Sequence, residues 1–251
     1  MDARLPVFPL GTVLFPGLVL PLHIFEARYL ELMRHLRGLP DGTPREFGVV
    51  AIRSGGSATV SAGPEAESRP GPEERSDQSE LTDQRPDGPP VSLHDVGCTA
   101  ELRQVTELPD GRLDIVTVGR RRFRIARVEE GGTPYLTAEV EWLPEPVGQE
   151  QLADLLAPRV LAVFRRYLTL VRDDPEELAE QLPDDPTVLS HLVAATAALT
   201  LTDRQRLLAT PDTAGRLSAE LRLLNREAAL LRQVRAVPVP LAELAVPASP
   251  N

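Results

Sequence analysis

Between His94 and Trp142, short apolar runs follow one another with only turn signals between them, and no stretch long enough for a helix intervenes. The pattern predicts strands over 98–107, 112–118, 122–128 and 135–142. They are separated by Pro109-Asp110-Gly111, by a tight turn at Gly119-Arg120 and by Gly131-Gly132. A chain in which strand joins strand without helices between them builds an antiparallel sheet or a small closed barrel rather than an alternating parallel fold. Upstream, residues 5–24 read as two short apolar strands broken by Pro and Gly, followed by a helix over 25–36 and a strand over 47–53.

Beyond Pro144-Glu145-Pro146 the period changes from two to about 3.6. Leu152, Leu155, Leu156, Val160, Val163, Phe164, Tyr167, Leu168 and Val171 recur at helical spacing, with Pro158 marking a kink or a break. Asp173-Asp174-Pro175 and Asp184-Asp185-Pro186 each pair a capping residue with Pro at the first helical position. Thr202 with Gln205 suggests a capping box. A final long helix starts at Asp212 or Thr213, with Leu217, Leu221, Leu224, Ala228 and Leu231 on one face. The domain reading is therefore a β domain over 1–146, a helical subdomain over 147–236 and a Pro-rich tail over 237–251. Residues 54–90, dominated by Gly, Pro, Ser and charged side chains, read as a disordered insertion, because they hold too little apolar surface to offset ordering.

Composition removes several chemistries. All 27 basic residues are arginine, so a Ser/Lys dyad, a phosphate-loop lysine and a Schiff-base lysine are excluded. No apolar run approaches the ~20 residues that span a bilayer, and Met1-Asp2-Ala3-Arg4 lacks the features of a secretory signal. A cytoplasmic protein with no membrane contact is expected. The net charge of −10 argues against broad binding of nucleic acid. Cys98, the one cysteine, reads as a buried inert thiol.

Several ordered motifs carry a resemblance. Val7 to Leu10, Val13 to Gly17, Leu20 to Leu22 and Ile24 to Tyr29 resemble the opening signature of the LON domain, the amino-terminal module of Lon-type ATP-dependent proteases. Val96 to Leu102, Leu108 to Arg112 and Gly119 to Ile125 are similar to its later motifs, and the segment from Leu201 to Leu217 is similar to its closing helices. The resemblance implies an α+β fold, a PUA-like antiparallel β-barrel-type domain followed by a helical subdomain. It also implies a non-enzymatic module that recognises exposed apolar or unfolded polypeptide and works with a separate ATP-dependent protease. Without a lysine or a Gly-x-x-x-x-Gly-Lys-Ser/Thr loop, this chain is not expected to be a complete Lon protease.

Catalytic and metal readings find little support in the residues. Ser190-His191, His94 with Cys98, and His23 with Glu26 lack the surrounding motif of a nucleophilic site. His94 and Cys98 on one strand would stand about 13 Å apart, too far to share an ion. No cofactor, metal or catalytic residue is expected. Phe15, Leu18, Tyr29 and Met33 are the candidate peptide contacts, in a groove between the β domain and the helices. The alternative is an RNA-binding module using Arg120, Arg121, Arg122 and Arg124 around Phe123, since guanidinium groups suit phosphate and base stacking. Against it, charges beside a hairpin turn protect a sheet edge.

Overall fold

A computed structural model of the chain describes residues 2–53, 92–129, 131–171 and 182–235. Two compact units divide it, Met1–Leu143 and Pro144–Asn251. The first holds β1 (Asp2–Leu10), β2 (Val19–Ile24), α1 (Ala27–Arg37), β3 (Glu46–Ala51), β4 (Val96–Glu107), β5 (Leu113–Glu129) and β6 (Leu136–Trp142). Strand pairings run β5–β4–β3–β1–β6 and return from β6 to β5, so five strands close a ring, while β2 attaches to the first half of β5. The fold is α+β, as expected, but the ring is mixed: β1 and β3 are parallel. That pairing follows from the connection, because β2 and α1 carry the chain back across the sheet between them, as a parallel crossover requires.

Prolines in β1 fit this arrangement. Residues 2–7 pair only with β6 on one side and residues 7–10 only with β3 on the other, meeting at Val7. Pro6 and Pro9 therefore each have one side without a ladder partner, where a missing N–H is tolerated. The barrel interior gathers Leu5, Val7, Val50, Phe123, Ala138 and Val140. Phe123 fills the space left by two glycines, since a Cβ on Gly48 or Gly97 would lie 2.6 Å from its ring. On the other face of β1, Phe8 stacks on Tyr29 of α1 at 3.9 Å and meets Phe47 at 5.8 Å.

The 17-residue β5 replaces the two strands and hairpin predicted around Gly119. Gly119 is required there for closeness rather than for a turn. A Cβ at this position would lie 2.1 Å from the Phe15 carbonyl oxygen, where the chain passes across β5 before entering β2. By contrast, the predicted turn at 109–111 is present. Gly111 donates to the Leu108 carbonyl at 3.0 Å and takes φ +81°, with Pro109 at the second turn position.

Residues 54–90 lie outside the described residues, but their flanks are held together. Ile52 bridges Leu93, Arg53 N donates to Ser92 O at 2.8 Å, His94 N donates to Ala51 O at 2.9 Å, and the Arg53 guanidinium meets Asp95 at 2.9 Å. The intervening segment is thus joined to the barrel by a two-stranded stem. Deleting residues 62–88 leaves that stem intact, and each halving of loop length recovers only about 0.6 kcal/mol of closure entropy. The deletion is expected to change the melting temperature by no more than a few degrees, checked by calorimetry. A collapse of the cooperative transition would show that the segment packs on the barrel.

The second unit contains α2 (Glu150–Val171), α3 (Pro186–Thr196), α4 (Leu201–Ala209) and α5 (Thr213–Arg235). Helix α2 runs unbroken through Pro158 and buries Val160, Phe164, Tyr167 and Leu168. Asp185 caps α3 by accepting from Thr187 N and Val188 N, with Pro186 at the first position, as the sequence predicts. The α4 cap is Thr200, which accepts from Asp203 N, rather than Thr202. Asp212 Oδ1 accepts from Gly215 N at 2.7 Å, and the Pro146 and Val147 carbonyls take the first two N–H groups of α5. The helix start predicted at Asp173-Asp174-Pro175 and the tail beyond residue 236 lie outside the described residues.

Candidate functional site

Among the described residues of the barrel unit, an outward-facing apolar edge is built on β2. Gly17, at φ +80°, turns the chain so that its N–H donates to Gly119 O at 2.8 Å, and Gly119 N donates to Leu18 O at 2.8 Å. From there Val19–Ile24 runs antiparallel to β5, from Val19 opposite Val118 to Ile24 opposite Leu113. Leu22 and Ile24 are buried and Leu20 is half-buried, while the alternate residues Val19, Pro21, His23 and Phe25 turn outward. Val19 is 62% exposed and Phe25 45% exposed, two of the largest apolar exposures in this unit.

His23 is fixed within this face. Its Nδ1 lies 2.7 Å from Asp114 Oδ1 on β5, and its Nε2 lies 3.3 Å from Arg112 Nη1. Arg112 also binds Asp110, and this hydrogen bond holds the Asp110 carboxyl below the usual carboxylate range. The ring of His23 is 6.0 Å from that of Phe25. Beside this face lies a groove of about 240 Å³ between α1 and the β4–β5 turn, lined by Leu30, Leu108 and Leu113 with Arg34, Arg37 and Glu107. Its polar rim is paired internally, Arg37 with Glu107 at 2.6 Å and Arg34 with Glu31. The groove therefore offers an apolar floor without an excess of either charge.

Of the predicted peptide contacts, Phe15, Tyr29 and Met33 are buried and Leu18 is half-buried. Burial pushes the Tyr29 phenol up to about 12, and the Arg28 guanidinium, 4.7 Å above its ring and tied to Glu26, covers it. Val19 and Phe25 went unmarked in the sequence reading, although the alternation Val19, Pro21, His23, Phe25 with a proline inside it is the pattern of an edge strand.

The arginine run does not form one cationic surface. Arg120 Nε is 3.0 Å from Glu101, Arg121 stacks 3.8 Å over Trp142 and lies 3.9 Å from Glu46, and Arg122 is buried. Nor does the run border a hairpin turn, because it sits mid-strand in β5 with β4 on one side. Cys98 is buried, its thiol 3.5 Å from Thr99 O. No group of three or more His, Cys, Asp or Glu side chains suited to a metal occurs among the described residues.

In the helical unit, Ser190 and His191 belong to a buried polar cluster rather than to a nucleophilic site. Arg216 Nε donates to Ser190 Oγ at 3.3 Å, and Glu145 Oε2 lies 3.3 Å from Arg216 Nη2 and 3.4 Å from His191 Nε2. The Ser190 hydroxyl itself donates to Thr187 O. One turn along α5 from Arg216, Glu220 is fully buried. Desolvation raises its carboxyl well above the usual range, against the pull of Arg216. Asp203 behaves oppositely: its hydrogen bond from Arg226, at 2.8 Å, holds it below the usual range.

The described residues thus form a closed strand ring with an outward apolar edge on β2, and a helical unit follows it in the chain. The family model of the ATP-dependent protease La (LON) substrate-binding domain matches residues 4–226, and the chain belongs to that family. It is 37% identical over 146 residues to Lon protease 1 of Thermus thermophilus, an alignment covering 56% of this chain and 18% of the relative. Against Lon protease of Escherichia coli K12 the identity is 31% over 142 residues, with the same coverage of each. The chain thus spans under a fifth of the length of these proteases. Among solved structures, it is similar to the N-terminal domain of Mycobacterium avium complex Lon protease, at TM-score 0.61 and 18% identity, covering 89% of this chain and 98% of that one. A Lon N-terminal domain protein from Xanthomonas campestris gives TM-score 0.54 and 22% identity, covering 88% and 98%. At these identities the structures speak to fold alone. No helix among the described residues is long and apolar enough to cross a membrane.

Proposed function

We propose that this chain is a non-enzymatic recognition module that binds exposed apolar or unfolded polypeptide segments and passes them to a separate ATP-dependent protease. The observation that carries the reading is the substrate-binding-domain match over residues 4–226. The outward Val19 and Phe25 support it, because exposed large apolar side chains on an otherwise charged surface are where apolar segments gain affinity. Affinity then comes from burying these side chains and the Leu30, Leu108 and Leu113 floor, and the paired rim leaves it indifferent to client charge.

The test is titration of a denatured, carboxymethylated model protein and of a mixed-sequence RNA at low and moderate salt. The denatured chain is expected to bind with little dependence on salt. RNA binding would instead weaken steeply as salt displaces the counterion contribution. An Arg120→Glu/Arg121→Glu variant is expected to bind the denatured chain like wild type. Tight, salt-sensitive RNA binding abolished in that variant, with the denatured chain ignored, would overturn the reading. Purified protein is also expected to show neither ATP hydrolysis nor casein degradation.

Phe25→Ser is expected to weaken binding of the denatured chain about fivefold, the scale of reburying half a large apolar side chain. Its melting temperature should fall by no more than a few degrees, because about half of the side chain already faces solvent. Anisotropy titration and calorimetry check the two halves. Unchanged affinity would remove Phe25 from the contact surface.

A further inference from the structure

We infer that the outer edge of β2 captures its client as an added antiparallel or parallel strand, so that main-chain hydrogen bonds, not only apolar contacts, hold the segment. The inference rests on the client-binding reading above and specifies how the client is held. β2 is the terminal strand of the sheet order and pairs only with β5; among the described residues no strand pairs with its other side. The direction of each main-chain group follows from two contacts. Leu18 O accepts from Gly119 N, and Leu20 O accepts from Thr117 Oγ1, so both carbonyls point to β5. Continued along a strand of period two, Leu22 and Ile24 also face β5, while the N–H and C=O groups of Val19 and His23 and the C=O of Pro21 face outward.

Pro21 is the second part of the argument. Its missing N–H falls on the outward side, the placement that leaves the β5 ladder complete. A proline there breaks the continuous row of donors that would let long strands or further copies zip onto the edge. Five outward groups remain: two donors and three acceptors spread over Val19, Pro21 and His23. That set complements the backbone of a short extended peptide and does not depend on its side chains, which suits a module meeting many unfolded sequences. Val19 and Phe25 frame the edge and supply the apolar contacts for alternate side chains of the added strand.

The experiment uses the full chain and a fluorescein-labelled heptapeptide of alternating leucine and serine, compared with the same peptide N-methylated at consecutive central residues. N-methylation removes donors on both edges of the peptide while keeping its apolar side chains. Wild-type protein is expected to bind the unmodified peptide and to bind the methylated one about tenfold more weakly or worse. Val19→Pro, which removes one outward donor and none facing β5, is expected to weaken the unmodified peptide severalfold, with circular dichroism confirming the fold. Equal binding of both peptides would overturn the strand-addition inference and leave client recognition standing. Failure to bind the peptide and the denatured protein alike would instead remove the underlying reading. A third result also overturns the inference: concentration-dependent dimerisation by sedimentation, abolished in Val19→Pro while peptide binding persists, would assign the edge to a second copy of this chain.

Discussion

Gly119→Ala is expected to cost about 3 kcal/mol or more, at or beyond the upper end of the range for forcing extra atoms into a packed interior. The new Cβ would stand 2.1 Å from the Phe15 carbonyl oxygen and 3.2 Å from a Leu14 side-chain carbon. Relief cannot come from rotating a side chain, because both the Cβ and the carbonyl are fixed to the backbone. It also cannot come from sliding Phe15, whose ring is fully buried. The segment leading into β2 must therefore lift away, losing the bonds from Gly17 N to Gly119 O and from Gly119 N to Leu18 O. Since small domains are stable by only about 5–15 kcal/mol, the loss is a large share of the whole. Guanidinium unfolding should show the midpoint falling sharply, whereas Gly11→Ala, with nothing within 4 Å of its Cβ, should stay within about 0.5 kcal/mol of wild type. An unchanged midpoint for Gly119→Ala would mean that β2 does not lie against β5 as described. Because β2 is also the proposed client strand, a partly folded Gly119→Ala protein should bind denatured chains more weakly than its residual structure alone suggests.

Gly119 also illustrates which features could be read from the sequence. A glycine between two apolar alternating runs is compatible with a hairpin turn and with a close backbone crossing, and only the position of Phe15, a hundred residues earlier in the chain, decides between them. Where the signal was local it could be read directly. Pro109-Asp110-Gly111 specifies its turn through fixed φ values, and Asp185-Pro186 specifies a helix start through a side-chain acceptor next to a residue that needs no donor. The LON resemblance rested on several such segments in order, and the family match bears it out. Non-local features were hidden. The parallel pairing of β1 with β3 depends on how β2 and α1 return the chain, and no residue in either strand encodes it alone.

The site was less legible for a related reason. Phe15 and Phe25 are equivalent in hydrophobicity, yet one is wholly buried and the other faces outward. Phe15 lies ahead of β2, where the chain crosses Gly119 of β5, whereas Phe25 directly follows Ile24 and continues the alternation that turns Val19, Pro21 and His23 outward. Likewise, the four arginines 120, 121, 122 and 124 look like a single charged patch in sequence. Alternation along β5 and the local partners send Arg121 to Trp142, Arg120 to Glu101 and Arg122 into the interior.

The second large effect is expected in the helical unit, as a stability that falls with rising pH through one side chain. Glu220 is fully buried, and neither carboxyl oxygen has a hydrogen-bond partner among the described residues. Desolvation raises its folded-state pKa well above the ordinary 4.5, with Arg216 opposing but not cancelling the shift. Below about pH 4.5 both folded and unfolded chains hold the proton, and Glu220 gives no pH dependence. Above that value the unfolded chain releases the proton while the folded chain keeps it, so folding binds a proton and stability declines by about 1.4 kcal/mol per pH unit. The decline stops once pH passes the folded-state value. Glu220→Gln keeps the shape without the ionisation, so its melting temperature relative to wild type should rise with pH across that window and be level below it. Asp203 contributes the opposite slope, since its folded value is depressed by Arg226 and its stabilisation fades as pH falls through the acid range. Comparing Glu220→Gln with wild type at each pH cancels that term and isolates the buried carboxyl. A difference that does not change with pH would show that Glu220 meets water or a partner in solution, and the buried position on α5 would have to be abandoned.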